Sequence, residues 1–154
     1  TTALDVTVQA QILDLMKKLQ LTNDTSIIMI THDLGVVWEM CDKLIVMYAG
    51  STVESGTVED IYNNPLHPYT WGLLESQIKH DVLHDEMLPA IPGSPPDLRQ
   101  DMPGCPFYDR CPFGQDICLT TKPVPIEVEE NHFVSCHFQT KTERLERKER
   151  MFVD

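Results

Sequence analysis

The stretch Thr25–Gly56 constrains this chain more than any other, because apolar runs alternate in it with short polar breaks. A first run, Ile27–Thr31, ends abruptly at His32, a second run follows at Leu44–Tyr48, and a third segment lies around Ser51–Ser55. The pattern predicts a buried strand, a short helix and then two strands joined by a hairpin turn. Because ligands of open α/β sheets bind outside the carboxyl ends of the strands, His32 is a candidate functional residue. The alternative is a histidine that only caps a strand end.

Helical signals flank this stretch on both sides. Apolar residues at helical spacing predict an amphipathic helix over Val6–Leu21. Thr57 is a candidate N-cap for a helix over Val58–Asn63. Pro68 suits the first turn of a further helix that ends near Gln77. The elements together predict an α/β fold.

The acidic composition excludes some classes of protein. With 154 residues and a formal net charge of −12, the chain lacks the Lys and Arg excess of a nucleic-acid-binding surface. No apolar run approaches the roughly 18 residues that a membrane-spanning helix needs. The five cysteines, without a visible export signal, indicate a reducing cytosol.

Two motifs resemble the ATPase subunits of ABC transporters. The segment Thr31-His32-Asp33-Leu34, with CDKLIVMYAG and Glu54-Ser55-Gly56 after it, resembles the switch-histidine region of these ATPases. Thr2-Ala3-Leu4-Asp5, which leads into VTVQAQILDL, resembles their D-loop. His67-Pro68-Tyr69, IPGSPPDL and the distal cysteines resemble the subfamily of oligopeptide, dipeptide and nickel importers. The resemblance extends to about Cys136.

The resemblance implies roles for two residues and also shows what this chain lacks. His32 would contact the γ-phosphate and help hold the attacking water, and Asp5 would lie at a dimer interface. The chain contains no G-x-x-x-x-G-K-[ST] phosphate loop and no LSGGQ-like signature. Thr1 would follow the acidic pair of the family, so we expect the catalytic glutamate to precede this sequence. We therefore expect a C-terminal fragment that lacks Walker A, signature and Walker B motifs and hydrolyses no ATP alone.

For the intact parent, the resemblance implies an ATP- and magnesium-dependent ATPase that powers peptide uptake at the cytoplasmic face of a bacterial or archaeal membrane. Its partners would be a second ATPase subunit, membrane permeases and, indirectly, an extracellular peptide-binding protein. The predicted domains are an ATPase part, a proline-rich linker, a cysteine-rich unit and a charged, solvated tail, at residues 1–88, 89–98, 99–140 and 141–154.

Four cysteines form a second candidate site. They are separated by five, six and seventeen residues in a region rich in turns, at Cys105, Cys111, Cys118 and Cys136. A loop-rich unit this small rarely has enough core and needs a staple. Four thiolates can bind zinc or a [4Fe–4S] cluster, and disulfides or unlinked core thiols are the alternatives. The subfamily resemblance implies the [4Fe–4S] cluster, with zinc as the alternative metal. The fifth cysteine, Cys41, is expected to be a small buried hydrophobe.

Other interpretations stay open at this point. The chain can be a stand-alone, non-catalytic metal-binding or interaction module, or part of a soluble ABC ATPase outside transport. His80 and His84 lie four residues apart and are weak candidates for a metal site, since a solvated acidic helix or loop explains them better. An exposed strand edge would favour a non-native dimer of the fragment.

Overall fold

Two helices form at the start of the chain, as helical spacing predicts. In the computed structural model, which describes residues 6–77, 90–148 and 151–152, α1 spans Val6–Asn23 and α2 spans Leu34–Met40. Asp33 caps α2, since its carboxylate accepts the backbone N–H groups of Gly35 and Val36 at 3.0 and 3.2 Å. Both helices are therefore confirmed.

The segment between these helices is not the strand that its apolar run predicts. No strand is assigned to residues 26–31, and the side chains of Ile28 and Ile30 are 93% and 98% exposed. A strand needs hydrogen bonds from a neighbouring strand, and no strand in the described part of the chain pairs with this segment. The prediction of a buried strand before His32 was wrong for this reason.

The chain divides into two compact units, the first ending at Asp42 and the second beginning at Lys43. The first contains α1 and α2, which an exposed ion pair between Lys17 and Glu39 joins at 3.0 Å. The second contains every strand that the structure describes. The predicted boundary near residue 89 stays a prediction, since residues 78–89 lie outside the described part.

One antiparallel sheet organises the second unit. Its strands are ordered β1-β2-β4-β3, and in chain order they span Lys43–Tyr48, Ser51–Thr57, Ile126–Glu129 and His132–Val134. Ala49 and Gly50 make the β1–β2 turn with φ of +47° and +75°, as the hairpin prediction requires. The helices together with this sheet agree with the predicted α/β class.

Short helices cover the rest of the second unit. α3, α4 and α5 span Val58–Asn63, Pro68–Glu75 and Asp116–Thr120, and a 3₁₀ turn spans Tyr108–Arg110. α3 and α4 begin where Thr57 and Pro68 predict them. Buried side chains from the hairpin, these helices, the cysteine-rich region and the charged tail form one apolar core: Val46, Tyr48, Val53, Ile61, Trp71, Phe107 and Phe152.

The proline-rich segment is held in place by Arg110. Its Nε donates to the carbonyl oxygen of Pro92 at 2.8 Å, and its Nη2 donates to that of Ile91 at 2.7 Å. Its Nη1 donates to the hydroxyl of Tyr48 at 3.2 Å. One guanidinium therefore joins this segment to the end of β1.

The charged tail is less solvated than its charges indicate. Leu145 and Met151 pack against the apolar core, and Phe152 is buried in it. These apolar residues anchor a segment that is otherwise rich in Glu, Lys and Arg. Among the helices that the structure describes, none has the length and apolar character needed to cross a membrane.

Candidate functional site

The segment that carries His32 ends in a tight turn before α2. His32 is exposed, and the Thr31 hydroxyl next to it accepts the backbone N–H of Asp33 at 3.0 Å. Asp5, the other residue that the resemblance assigns to catalysis, lies outside the described residues. The catalytic and nucleotide-binding role of His32 and the D-loop role of Asp5 therefore stay predictions.

The four distal cysteines come together at one cavity, although they are spread over thirty-two positions of the sequence. Cys105 precedes the 3₁₀ turn, Cys111 ends it, Cys118 lies in α5 and Cys136 follows β4. The backbone joins two of them directly, because the N–H of Cys105 donates to the carbonyl oxygen of Cys118 at 2.7 Å. Gly104 permits this close approach, since a Cβ at that position would lie 2.1 Å from the same oxygen.

Burial favours the neutral thiol at three of these cysteines, because it raises the pKa of Cys105, Cys111 and Cys136. Burial raises the pKa of Cys111 to about 12, and the thiolates of its three partners in the cavity would raise it further. Burial likewise raises the pKa of Cys136 to about 11 and raises that of Cys105. A bound cation would reverse this preference, because a metal ligand must be a thiolate.

Backbone N–H groups oppose this effect at three of the cysteines. A backbone hydrogen bond from Phe113 lowers the pKa of Cys111, although burial outweighs it. Cys105 and Cys136 each receive two such bonds from residues that follow them: Phe107 and Tyr108 for the first, Phe138 and Gln139 for the second. Donors aimed at sulfur stabilise negative charge there and are typical of metal–thiolate sites.

The donor atoms of the cavity suit a sulfur-ligated metal centre. Their present arrangement, however, does not form a complete site for a single metal ion. All four cysteines are free, and within the described ranges no three or more His, Cys, Asp or Glu side chains are grouped to hold a metal ion. The thiols would therefore have to deprotonate and close around a metal. Soft thiolate sets of this kind select zinc or iron–sulfur clusters. Metal binding itself stays a prediction.

His67 lines the same cavity, and sequence reasoning did not place it there. His67 caps α4, since its Nδ1 accepts the N–H of Tyr69 at 3.0 Å. The ring is 2% exposed, and burial lowers its pKa to about 3. The sequence gives no sign that His67 lies at this cavity, because the cysteines follow it by more than thirty residues.

A buried carboxylate positions this histidine. Glu54 in β2 is fully buried and accepts the backbone N–H groups of Leu66 and His67 at 2.7 and 2.9 Å. Its Oε1 also lies 2.8 Å from Nε2 of His132, which is likewise fully buried in β4. The sheet and the start of α4 are therefore joined through one side chain.

The remaining candidates do not join a site. Cys41 is half-buried in the first unit, and burial raises its pKa. His80 and His84 lie outside the described residues. His137 lines the cysteine cavity, but its Nε2 lies 2.9 Å from the carbonyl oxygen of Thr121 and is engaged there.

Comparisons with known proteins agree with the resemblance that the motifs indicate. Residues 53–118 match the family described as "Oligopeptide/dipeptide transporter, C-terminal region". The oligopeptide transport ATP-binding protein OppD of Bacillus subtilis (strain 168) is 52% identical over 87% of this chain and 37% of its own length. The dipeptide transport ATP-binding protein DppD of the same organism is 50% identical over 90% of the chain and 41% of its own length.

A third relative, the oligopeptide transport ATP-binding protein OppD of Salmonella typhimurium, is 52% identical over 80% of this chain. It is covered over 37% of its own length, so the chain spans about two fifths of the length of each of these three relatives. The predicted similarity to the C-terminal region of peptide-transport ATP-binding proteins is confirmed.

Proposed function

We propose that this chain is part of the ATP-binding subunit of a bacterial or archaeal importer for oligopeptides or dipeptides. Its similarity to such ATP-binding proteins, at about 50% identity over most of the chain, supports this proposal most strongly. The intact subunit would bind ATP with magnesium and hydrolyse it to drive uptake. Positioning and charge stabilisation supply nearly all of the catalysis in such a phosphoryl transfer.

His32 and Asp5 would act in that intact subunit and not in this chain alone. The chain has no phosphate loop of the Walker A type, so His32 has no γ-phosphate to contact within it. The partners would be a second ATPase subunit, whose phosphate loop Asp5 helps to orient, and membrane permeases fed by a peptide-binding protein. The subunit would lie peripherally at the cytoplasmic face of the membrane.

A His32→Ala substitution in the intact subunit tests this role. We expect ATP turnover to fall on the order of 10²-fold or more, since removing one group that stabilises transition-state charge has that effect. Binding of a fluorescent ATP analogue, measured in parallel, should change much less, because the phosphate loop would hold the nucleotide.

Lys18→Ala is the matched control, since Lys18 is an exposed residue of α1 in the same unit. Unchanged turnover in His32→Ala would overturn the assignment of His32. An intact subunit that neither binds nor hydrolyses ATP would overturn the proposal as a whole.

We further propose that Cys105, Cys111, Cys118 and Cys136 hold a [4Fe–4S] cluster, with zinc as the alternative. Their common cavity and the backbone N–H groups that donate to the sulfurs of Cys105, Cys111 and Cys136 support the proposal. The role of the centre would be to staple the cysteine-rich region, because short loops there supply little apolar core. When bound, an iron–sulfur cluster would also supply one redox-active group.

Metal analysis of protein purified without oxygen tests this second proposal. We expect about four irons with matching sulfide per chain, and loss of both in Cys118→Ser. Cys41→Ser is the matched control, because it removes the one thiol outside the cavity. One zinc per chain would establish the alternative metal, whereas reduced thiols without metal would overturn both.

A stand-alone metal-binding or interaction module is the second candidate. It is favoured by the second compact unit, which begins at Lys43 and contains the sheet, the apolar core and the cysteine cavity. An ATP-analogue column separates the two candidates when it is loaded with the intact subunit. Retention supports the importer ATPase, and failure to bind supports the module.

A further inference from the structure

Part of the charged tail folds back onto the wall of the cysteine cavity. Leu145 lines this cavity together with the four cysteines, and its side chain also packs against the apolar core. Among the described residues of the tail, Leu145 is the one that reaches the cavity. We refer to residues 140–148, which carry this leucine, as the strap.

The strap begins at a buried side chain. Gln139 is 1% exposed, and its amide donates to the carbonyl oxygen of Leu66. Its Oε1 accepts the backbone N–H of Leu145 at 3.3 Å. A turn follows at once, because Oγ1 of Thr140 accepts the N–H of Glu143 at 2.9 Å. Gln139 and this turn therefore direct the chain back to the cavity.

A second buried side chain holds the tail beyond the strap. Phe152 is 7% exposed and belongs to the apolar core. Its ring lies so close to α4 that a Cβ at Gly72 would be 2.8 Å from it. Burial of an aromatic side chain supplies a large apolar contact. Buried groups therefore hold the chain on both sides of the strap.

The middle of the strap is held more weakly. Nη2 of Arg144 lies 3.1 Å from Oε1 of Glu129, and Nε of Arg147 lies 3.5 Å from Oε1 of Glu75. Both arginine side chains are more than a third exposed, and such ion pairs add little stability and are screened by salt. Leu145 adds one partly buried apolar contact. Segments with few buried contacts are the ones that open locally.

We propose that the strap is a gate that opens and closes the cysteine cavity and so controls how fast solutes reach its thiols. Opening breaks the two ion pairs and withdraws Leu145, while Gln139 and Phe152 stay in place. The inference concerns access to the cysteines, so it goes beyond the proposed metal centre. A metal ion, an electrophile or an oxidant would each meet the same gate.

Alkylation with iodoacetamide tests the gate on the full chain as purified and kept reduced. A chelator is added together with the reagent, so that the thiols become available even where a metal first has to leave. Mass spectrometry gives the labelling rate of each cysteine. Cys41 is the internal reference, because it lies in the first compact unit. The measured quantity is the rate of the four cavity cysteines relative to that of Cys41.

Two variants should open the gate. Arg144→Ala/Arg147→Ala removes both ion pairs, and we expect the relative rate to rise about threefold, the change that two weak exposed pairs allow. Leu145→Ala removes the apolar contact at the cavity wall and should raise the relative rate on the order of tenfold. Circular dichroism should show the native fold in both.

The matched control is Lys141→Ala/Lys148→Ala. It removes the same charge from the same strap, because both lysines are exposed and neither forms an ion pair in the ranges that the structure describes. The relative rate should therefore equal that of the native chain.

Salt distinguishes the gate from a general loss of stability. Raising sodium chloride from about 0.02 M to about 0.5 M should raise the relative rate of the native chain roughly threefold, because screening weakens both ion pairs. The same salt should not change the relative rate of Arg144→Ala/Arg147→Ala, which has no such pairs left to weaken.

Three outcomes overturn the inference. The first is a native relative rate in Arg144→Ala/Arg147→Ala, and the second is a native chain whose relative rate does not respond to salt. The third is an equal rise in the lysine control, or a rise that Cys41 shares, since either would indicate general loosening. Iron and zinc analysis of the same samples reports on the metal centre separately, so the gate and the metal proposal can fail independently.

Discussion

At the scale of single residues, Glu54 stands out because its carboxylate is buried in the interior of the protein. It is fully buried, yet it accepts two backbone N–H groups and lies 2.8 Å from Nε2 of His132. A buried carboxylate is tolerated only when its oxygens are satisfied in this way. The side chain therefore orders the start of α4 and holds β4 against β2.

We expect Glu54→Ala to lower the free energy of unfolding by about 3–5 kcal/mol, because it leaves the N–H groups of Leu66 and His67 and the ring of His132 without their acceptor. Urea unfolding followed by circular dichroism measures this change. Glu130→Ala, at an exposed site in the β3–β4 turn, is the control and should change stability by at most about 0.5 kcal/mol. A similar small change in Glu54→Ala would contradict the prediction.

At the scale of elements, the hydroxyl of Thr57 sets where β2 ends and α3 begins. Its Oγ1 accepts the backbone N–H of Asp60 at 3.0 Å and donates to the carboxylate of the same residue at 2.5 Å. This is the capping that the sequence predicts.

We expect Thr57→Ala to destabilise the protein by about 1 kcal/mol, since an N-terminal donor of α3 loses its acceptor. Thr57→Ser keeps a hydroxyl and should retain most of that stability. Thermal denaturation of both variants measures the effect. Equal loss in Ser and Ala would show that the methyl group, and not the cap, stabilises this helix.

The sequence predicted the elements whose signals are local. The spacing in α1, the cap at Thr57, Pro68 and the Ala49-Gly50 turn each lie within a few residues of what they specify. The pairing of β4 with β2 was not predicted, because it joins residues almost eighty positions apart. The apolar run at 26–31 predicted a strand, but a strand also depends on neighbours that a local pattern does not contain.

For the candidate site, too, the sequence predicted the local features and not the long-range contacts. The spacing of the cysteines and the turn residues around them indicated a common centre, and the structure places all four at one cavity. The position of His67 at the wall of this cavity depends on how α4 packs against the cysteine-rich region. Side-chain contacts of that range have no signature in a single sequence.

At the scale of the whole molecule, the cysteine cavity includes a close approach between the loop that contains Gly104 and helix α5. Gly104 is the contact point, where a Cβ would lie 2.1 Å from the carbonyl oxygen of Cys118 and 2.5 Å from that of Leu119. Two backbone segments cannot both keep their positions at such a distance, so Gly104→Ala must push this loop and α5 apart.

We expect Gly104→Ala to reduce metal uptake and to lower stability by about 1–3 kcal/mol, the usual effect of overpacking. Iron and zinc analysis with thermal denaturation measures both changes. Gly50→Ala is the control, because its strained hairpin turn has no atom within 4 Å of the added methyl group. It should lose stability and keep its metal, whereas full metal uptake by Gly104→Ala would contradict the prediction.

The hydrogen bonds of Arg110 link the proline-rich segment to the cysteine-rich region. Arg110 directly precedes Cys111, so the guanidinium that holds the carbonyl groups of Ile91 and Pro92 is attached to the loop of a site cysteine. A displacement of that loop would therefore also displace the guanidinium that binds Ile91 and Pro92. The position of the proline-rich segment would then depend on the loop of Cys111, although the segment contains no cysteine itself.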